Sequence, residues 1–515
     1  MFMLLLLAQQ IAMSRRSRRN ILPNIVINPL LLLLVTQTSG DLRGFDRLDF
    51  EFDHEAISHH PNGPYIVAGV NSSELVIFPD PLPPSKAEER SDCPHLQPGI
   101  SRWHDPSIWG RGGVPDAGTD FSLPPNTRVV LDQPTTRIFG IITIPESSEL
   151  ILGENSDGVN LDMTGMKVYG KLLAGSRTCR IETPVSLTLH GTRPLDAVPN
   201  TPPPHVKGIA VDGGVISLHG KRYFRTWTRL AQTVEPNTNT ILLQHPVNWE
   251  SGDQIVLVTT AMKDSKEWHQ NEVLTIENVD NDSSNAVGAI ILVRETIKYR
   301  HVANLGYQGE VALISRTLVV QGAADDSEPS DPDPLDCQGQ SHWGYTGRPC
   351  ADKDLTGFGG HVIVFNGGIG SIEGVRFYRM GQTNVLGRYP IHFHLLGSCT
   401  DCYVKDSSFL RSYYRCISIH VTNNVLVEEN VAYDITGFCY YLEDGIEENN
   451  TLAFNLAAHI HVLGDPASGS SQRIPPVQAS NTLSQPADVS ASGFYCPNLN
   501  NWIVGNAASG VSVRY

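Results

Sequence analysis

Histidine and acidic residues recur at matching positions in four segments of the C-terminal region: PIHFHLL, CISIHVT, CYYLEDG and AHIHVLG. Each alternates apolar and polar residues, as a strand with one buried face does. Aligned as equivalent strands, they direct one set inward: Ile391, Phe393, Leu395, Ile417, Ile419, Val421, Tyr440, Leu442, Ile460 and Val462. The opposite face, which also carries His392, Ser418, Tyr441 and His459, then stacks His394, His420, Glu443 and His461 in one line.

Three interpretations of this line of side chains remain open. Three imidazoles and a carboxylate would suit a divalent metal such as zinc or non-haem iron, with His394, His420, Glu443 and His461 as ligands. Without metal, His394, His420 and Glu443 would supply a general acid and base for cleaving a glycan, with Asp444 a weaker candidate. The third interpretation is stacking with a structural role only. Glu447 and Glu448 are expected to be solvated charges after an Asp-Gly turn.

Arginines cluster near the same segments although the chain as a whole is acidic. The five are Arg376, Arg379, Arg388, Arg411 and Arg415. A basic strip of this kind would bind a carboxylated polysaccharide through paired hydrogen bonds, and ordinary surface arginines are the alternative.

Cys416 lies four residues before His420, and Cys439 lies four residues before Glu443. Strands paired in register bring such positions within disulfide reach, so these two cysteines are predicted to pair. Cys399 and Cys402 form a single CTDC segment, which would be either a tight disulfide or two free thiols. The chain has 9 cysteines, an odd number, and none of them has zinc-ribbon spacing.

A repeat must position these residues. Ile372, Val404, Val427, Leu452 and Ile503 occupy equivalent places in strand-like phrases with Asn and Gly at the bends. Such a repeat predicts a right-handed parallel β-helix with one coil per repeat. Turn residues every ~8–12 positions predict further short strands upstream.

The fold class is therefore predicted as all-β, a glycine-rich β domain continuing into a right-handed parallel β-helix. The expected divisions are a targeting segment 1–40, an irregular region 41–92, the glycine-rich domain 93–220, a β-rich connecting domain 221–322, an acidic insertion 323–358 and β-helix repeats 359–515. The last coil phrase runs to the final residue without a polar cap, which favours an incomplete solenoid at the C-terminus.

Composition excludes several classes of function. The net charge of −16 makes nucleic acid and anionic membranes poor partners. No apolar run reaches the ~18–20 residues of a membrane span. The chain has no P-loop, dinucleotide fingerprint, HExxH or nucleophile-elbow motif between a strand and a helix, so nucleotide chemistry and serine hydrolysis have no support.

The N-terminal residues favour secretion. RRSRR at 15–19, the apolar run at 27–35 and TQTSG have the layout of a secretory signal. Asn71, Asn281 and Asn449 begin glycosylation sequons. A secreted or cell-surface location is the expectation.

Several stretches resemble known families. Residues 93–191, with a tryptophan pair and many glycines, resemble the G8 domain. MGQTNVLGRYPIHFHLLG and NVAYDITGFCYYLEDGIEENNT are similar to fibrocystin-L and to the cell migration-inducing, cell-surface hyaluronidases. The resemblance implies a G8 domain leading into parallel β-helix repeats outside the cell. In those hyaluronidases a lectin-like GG domain carrying implicated Arg and Asp residues follows the counterpart of RTWTRL, whereas here the chain runs on directly from 226–230.

Two functions follow from the resemblance and the residues together. The first is recognition, in which a fibrocystin-L-like module binds an extracellular glycan or a cell-surface protein. The second is depolymerisation of a polysaccharide such as hyaluronan by a hyaluronidase-like glycosidase. The missing GG insertion favours recognition, and the His/Glu line beside arginines favours catalysis. A structural spacer is a third possibility, and a divalent metal is the one cofactor that the residues suggest.

Overall fold

The computed structural model describes residues 92–192, 203–261, 270–281, 288–304, 306–324, 357–382, 385–461 and 491–510. They form strands and two short 3-10 helices, Pro94–Leu96 and Pro106–Gly112, and none of the described residues is in an α-helix. The expected targeting segment, nearly all of the irregular region with its sequon at Asn71, and most of the acidic insertion lie outside these ranges.

The N-terminal described part consists of ten short strands. They are β1 (Ser101–Arg102), β2 (Phe121–Ser122), β3 (Arg128–Leu131), β4 (Ile138–Ile144), β5 (Glu149–Leu152), β6 (Val159–Val168), β7 (Lys171–Ala174), β8 (Val185–Leu189), β9 (Gly208–Asp212) and β10 (Val215–His219).

The described residues of the middle part form eight strands. They are β11 (Trp227–Arg229), β12 (Thr240–Leu243), β13 (Gln254–Leu257), β14 (Glu272–Asp280), β15 (Ala289–Val293), β16 (Ala303–Asn304), β17 (Tyr307–Gln308) and β18 (Glu310–Leu313). Six of them form an antiparallel sheet in the order β11-β18-β13-β14-β15-β12 with a hydrophobic core of its own. This antiparallel sheet contacts the C-terminal coils, for example where the Trp227 indole N–H donates to the Phe454 carbonyl at 2.6 Å.

The C-terminal part supplies the remaining strands. They are β19 (Leu318–Gly322), β20 (His361–Phe365), β21 (Ile369–Glu373), β22 (Val375–Tyr378), β23 (Ile391–Ser398), β24 (Tyr403–Lys405), β25 (Ser408–Ser412), β26 (Ile417–Asn423), β27 (Leu426–Glu428), β28 (Val431–Thr436), β29 (Phe438–Leu442), β30 (Thr451–Ala453), β31 (Leu456–His461), β32 (Ser492–Tyr495), β33 (Trp502–Val504) and β34 (Ala507–Ser509).

These strands build a parallel β-helix with three columns. The first column is the sheet β1-β3-β5-β7-β10-β21-β24-β27-β30-β33. The second column contains β8, β19, β22, β25, β28, β31 and β34, and the third contains β9, β20, β23, β26, β29 and β32. Strand β6 joins the last two because its first half pairs with β8 and its second half with β9.

The all-β prediction is confirmed, and the glycine-rich region proves to be part of the same solenoid. Strands β3 to β10 share their sheets with the C-terminal repeats, since β10 pairs in parallel with β21 and β9 with β20. The solenoid resumes at β19, so the connecting sheet ends before the boundary expected at 322.

The predicted repeat register is confirmed. Ile372 pairs with Val404, Val404 with Val427, Val427 with Leu452, and Leu452 with Ile503. These residues are in the first column, and all but Ile503 are buried. At the adjoining bend, buried Asn430 and Asn455 and half-buried Asn506 form a ladder, in which the side-chain N–H of each of the first two donates to the next side-chain oxygen at 2.9 Å. The ladder satisfies buried amides that would otherwise destabilise the turn.

Candidate functional site on the third column

The third column brings three of the predicted site residues together. Strands β23 and β26 pair in parallel with His394 opposite His420. Strand β29 continues the column with Ile419 opposite Leu442, and the Glu443 N–H donates to the Ile419 carbonyl at 3.0 Å. Glu443 therefore follows His420 in the stack, as the alternation predicts.

The inward face is confirmed for the first residues of these strands and wrong at their ends. Ile391, Phe393, Ile417, Ile419 and Leu442 are all buried in the solenoid core. Leu395, which was expected in the core, is 55% exposed, and Val421 is half-buried. Both have positive φ, because the chain turns a corner there and the alternation of faces ends.

His461 does not belong to this stack, so its predicted place is wrong. Strand β31 pairs with β28 in the second column, which puts His461 opposite Thr436. The next strand of the third column is β32, with Tyr495 opposite Tyr441. His459 is also misplaced by the alignment, since it is buried in the second column with its ring stacked on Tyr433. Alternation identifies a strand but does not show which of three columns it joins.

His392 takes the place of His461 as the third imidazole. One ring nitrogen from each of His392, His394 and His420 lies within 4.8 Å of the other two. The His394 and His420 Nδ1 atoms are 2.9 Å apart. The centroids of the His392 and His420 rings are 5.9 Å apart and the rings are nearly parallel. These three residues are called the histidine cluster below.

Hydrogen bonds orient two of the three rings. His392 Nδ1 lies 3.3 Å from the Gly387 carbonyl oxygen, to which it must donate. His420 Nε2 is 2.9 Å from Asp444 Oδ2. Burial, together with the neighbouring imidazoles, holds the pKa of His392 well below its usual value, and burial followed by His420 lowers the pKa of His394. Both rings are therefore neutral at neutral pH and each keeps one lone pair.

Two carboxylates adjoin the histidine cluster. Glu443 accepts a hydrogen bond from the Ser418 hydroxyl at 2.9 Å, and its Oε2 lies 3.5 Å from Arg415 Nη1 and 3.9 Å from His392 Nε2. Asp444, the weaker catalytic candidate, is the more exposed of the two carboxylates. The site thus offers imidazole and carboxylate groups side by side, which suits metal binding or acid–base chemistry.

Glu447 is buried, so the expectation that it is a solvated charge is wrong. Its carboxylate accepts hydrogen bonds from the backbone N–H groups of Val421, Asp444 and Gly445 at 2.8–3.1 Å. It ties the loop carrying Asp444 to β26. The neighbouring Glu448 is exposed, as predicted.

The arginines do not form one exposed strip, because most of their guanidinium groups are covered. Arg388, Arg411 and Arg415 are buried. Arg415, 2% exposed, lies against the rings of Tyr389, Tyr414 and Tyr441, the last at 3.8 Å. Arg376 and Arg379 flank Tyr378 in the second column, away from the cluster. Arg379, Arg411 and Arg415 have positive φ, so the chain changes direction at these residues and strand alternation does not fix where they point.

An aromatic group on the following coils was missed by the sequence reasoning. Phe438, Tyr441 and Tyr495 have ring centroids 4.9–5.3 Å apart. Tyr495 is 39% exposed, and the other two are half-buried. The signal was weak because Tyr495 is 54 residues away in the sequence from Tyr441, its partner on the preceding coil.

The predicted disulfide between Cys416 and Cys439 is confirmed, with a Cα–Cα distance of 4.6 Å. It joins the residue just before β26 to the second residue of β29. Cys399 and Cys402 form a tight-loop disulfide, and Cys93 pairs with Cys179. His95 lies near the last pair, but disulfide sulfurs are not thiolate metal ligands.

The described sequons differ in their surroundings. Asn449 is exposed at a turn with positive φ. The Asn281 side chain exchanges two hydrogen bonds with the Val247 backbone, at 2.8 and 3.1 Å. No helix among the described residues is long and apolar enough to cross a membrane.

Comparisons with known families agree with this architecture. Residues 108–231 match the family model of the G8 domain, and residues 357–514 match that of the CEMIP beta-helix. The two matches cover successive parts of the chain, and the histidine cluster and the aromatic group lie in the second.

The curated relatives that this chain matches are much longer than it is. Protein rliB and Communication mutant protein F of Dictyostelium discoideum are each 38% identical to it, over 443 and 444 residues, covering 85% of this chain and 36% of theirs. Human fibrocystin-L is 30% identical over 442 residues, which is 80% of this chain and 10% of that protein.

Solved structures align with this chain only at low similarity. The tailspike gp61 of Pseudomonas phage phi297 aligns with 68% of this chain and 42% of its own, at 10% identity and a TM-score of 0.18. That score supports no inference about function.

Proposed function

We propose that this chain binds an extracellular polysaccharide, such as hyaluronan, along the outer face of the third column. The observation that carries the proposal is the placement of the histidine cluster, Asp444 and the aromatic group on consecutive coils of one sheet. Coils in a parallel sheet are ~4.8 Å apart, so the groups from His394 to Tyr495 span about 14 Å along the solenoid.

The chemistry of this face suits a sugar chain. Aromatic rings offer flat apolar surfaces to the C–H faces of sugars, and the Tyr hydroxyl adds a polar end. Half-buried imidazoles and an exposed carboxylate offer hydrogen bonds to hydroxyl groups. The disulfides Cys93–Cys179, Cys399–Cys402 and Cys416–Cys439 support an oxidising, extracellular setting.

Binding to immobilised polysaccharides tests this proposal, with the secreted full chain, hyaluronan as the acidic polymer and dextran as the neutral one. Tyr495→Ala should weaken binding about tenfold, which corresponds to ~1.4 kcal/mol. Tyr169→Ala is the matched control, because Tyr169 is 40% exposed on the N-terminal coils, and it should bind like the wild type. Failure to bind either polymer, or equal binding by the two variants, would refute the proposal.

Cleavage of the bound polysaccharide is the second candidate function. It is favoured by the His420–Asp444 pair beside His394, since a carboxylate-oriented imidazole next to a second imidazole is a suitable acid–base arrangement. It is also the activity of the hyaluronidases that the sequence resembles. Long-chain hyaluronan is incubated with the protein at neutral pH, with and without a chelator, and its chain length is measured. The chains should become shorter if the site is catalytic. Unchanged chain length would contradict cleavage and leave binding as the only proposed function.

A further inference from the structure

We propose that the histidine cluster is a binding site for one divalent transition metal ion of the zinc type, with His392, His394 and His420 as ligands. Imidazole nitrogen suits Zn²⁺, Co²⁺, Ni²⁺ and Cu²⁺, whereas Ca²⁺ and Mg²⁺ select oxygen ligands. The set differs from that expected from the sequence, because His392 replaces His461.

The first support is the convergence of ring nitrogens. Two nitrogens on a tetrahedral Zn²⁺ with bonds of ~2.0–2.1 Å are about 3.4 Å apart. In the histidine cluster the closest pair of nitrogens, the Nδ1 atoms of His394 and His420, is 2.9 Å apart, and all three ligand atoms lie within 4.8 Å. Small side-chain rotations would bring them around one ion.

The second support is the buried Nε2 of His392. The residue is 2% exposed, and among the residues that the structure describes this nitrogen has no hydrogen-bond partner, the Glu443 carboxylate being 3.9 Å away. Because Nδ1 donates to the Gly387 carbonyl, Nε2 carries the lone pair. A buried acceptor without a partner costs about 1–3 kcal/mol, and simple stacking of the rings does not remove that cost. A metal ion would.

The third support is the set of groups behind the ligands. Metal-binding imidazoles almost always donate their other N–H to a carbonyl or carboxylate, which fixes the tautomer. His392 has the Gly387 carbonyl in that role, and His420 has Asp444. In both rings this leaves the nitrogen that faces the cluster free of a proton.

Three protein ligands leave a fourth position of the ion open. The Glu443 carboxylate, 3.9 Å from His392 Nε2, is one group that would fill it, and a water molecule is another. The strands hold the ligands in place because Phe393 and Ile419, between and beside the histidines, are fully packed in the core.

Metal content of the full secreted chain tests the proposal without any polysaccharide. After equilibration with Zn²⁺ and removal of excess ion, mass spectrometry should find about one zinc per chain. Replacement with Co²⁺ should give the visible absorption of a tetrahedral site with nitrogen ligands. His394→Ala and His420→Ala, both at partly exposed positions, should lose the stoichiometric metal while retaining cooperative unfolding.

Three further variants separate metal binding at the histidine cluster from the histidine content of the chain. His190→Ala removes an imidazole that pairs with Asp162 elsewhere on the solenoid and should keep one zinc per chain. Asp444→Ala should weaken zinc affinity about 10–100-fold, and Asp444→Asn, which keeps an acceptor for the His420 N–H, should restore part of it.

A wild-type chain without stoichiometric zinc or cobalt would overturn the metal site. Retention of the metal by both His394→Ala and His420→Ala would do so too. Because the readout is metal content, a protein that binds zinc and no polysaccharide would refute the proposed function while leaving this inference intact.

Discussion

Two histidine–aspartate pairs on the same solenoid have nearly the same geometry and different surroundings. His190 Nε2 lies 2.7 Å from Asp162 Oδ1 on the N-terminal coils, and His420 Nε2 lies 2.9 Å from Asp444 Oδ2 on the C-terminal coils. Both imidazoles are partly exposed. Among the described residues, only the second pair adjoins two further imidazoles.

The difference shows that the pair itself does not define a site. Asp162 also accepts a hydrogen bond from the Asn160 side chain at 2.8 Å, so the first pair belongs to a polar surface network. In the second, the other His420 nitrogen faces His394, and the aspartate orients the ring. What distinguishes the C-terminal pair is the stacking of histidines on adjacent coils.

The largest expected effect comes from the core beneath each pair. Phe393→Ala and Met163→Ala each remove a fully buried side chain, and each should lower the free energy of unfolding by about 2–5 kcal/mol. Chemical denaturation measures both. Only Phe393→Ala should also reduce zinc content, because its backbone neighbours are His392 and His394. Equal zinc loss in the two variants would break the comparison.

The next effect concerns the charges around the C-terminal pair. Arg415→Ala leaves Glu443 without its guanidinium partner. Breaking a buried ion pair lowers the free energy of unfolding by about 3–5 kcal/mol. Because Glu443 is partly exposed, the expected loss is at the lower end, ~3 kcal/mol. Denaturation of Arg102→Ala, which breaks the exposed Arg102–Asp132 pair, should show a change within ~1 kcal/mol. Similar losses would mean that Arg415 is not a structural residue of the site.

A smaller effect separates two adjacent glutamates. Glu447→Gln replaces a buried carboxylate that accepts hydrogen bonds from three backbone N–H groups. Hydrogen bonds to charged groups contribute ~1.5–3 kcal/mol each, and the amide oxygen of Gln keeps some of these bonds. The substitution should therefore destabilise the chain by about 2 kcal/mol. Glu448→Gln, at an exposed position, should stay within ~0.5 kcal/mol. Thermal unfolding of both tests whether the loop carrying Asp444 needs Glu447.

The last effect, which is absent at neutral pH, is a pH dependence of stability at an imidazole outside the cluster. His219 is buried in the first column, with Nε2 2.7 Å from the Tyr403 hydroxyl, and burial lowers its pKa to about 4. Between the unfolded pKa of ~6.5 and 4, the unfolded chain binds the extra proton, so stability is lost as pH falls through this range.

The slope from this one group is at most about 1.4 kcal/mol per pH unit. The difference in unfolding free energy between wild type and His219→Gln, followed from pH 7 to 4, isolates it. An unchanged slope in the variant would show that His219 is not the titrating group.

Much of the architecture was predictable because apolar side chains that face the core recur at equivalent positions in successive coils. Leu452 and Ile503 are 51 residues apart in the chain and still pair, since both occupy the same place in the first column. The stack of His394, His420 and Glu443 and the Cys416–Cys439 bridge follow from the same periodicity. Strand alternation and coil register are local properties, and the sequence carries them directly.

The errors share one cause, which is the closing of the coil in three dimensions. His461 has the alternation of the third column but lies in the second. Arg415 and Glu447 look like surface charges in sequence, and the bends cover both. Corners with positive φ, such as those at Leu395 and Val421, end the alternation on which the assignment of faces depended.

The sequence by itself determined that this chain is an all-β solenoid with imidazoles and carboxylates on an outward face, because two-residue alternation and repeats of 23–51 residues are set by residue order. Only the tertiary structure decided which histidines meet, which charges are covered, and that Asp444 rather than a more distant acid orients His420. Those outcomes depend on how the coils stack and on where the chain turns, and contacts between residues far apart in the sequence determine both the stacking and the turns.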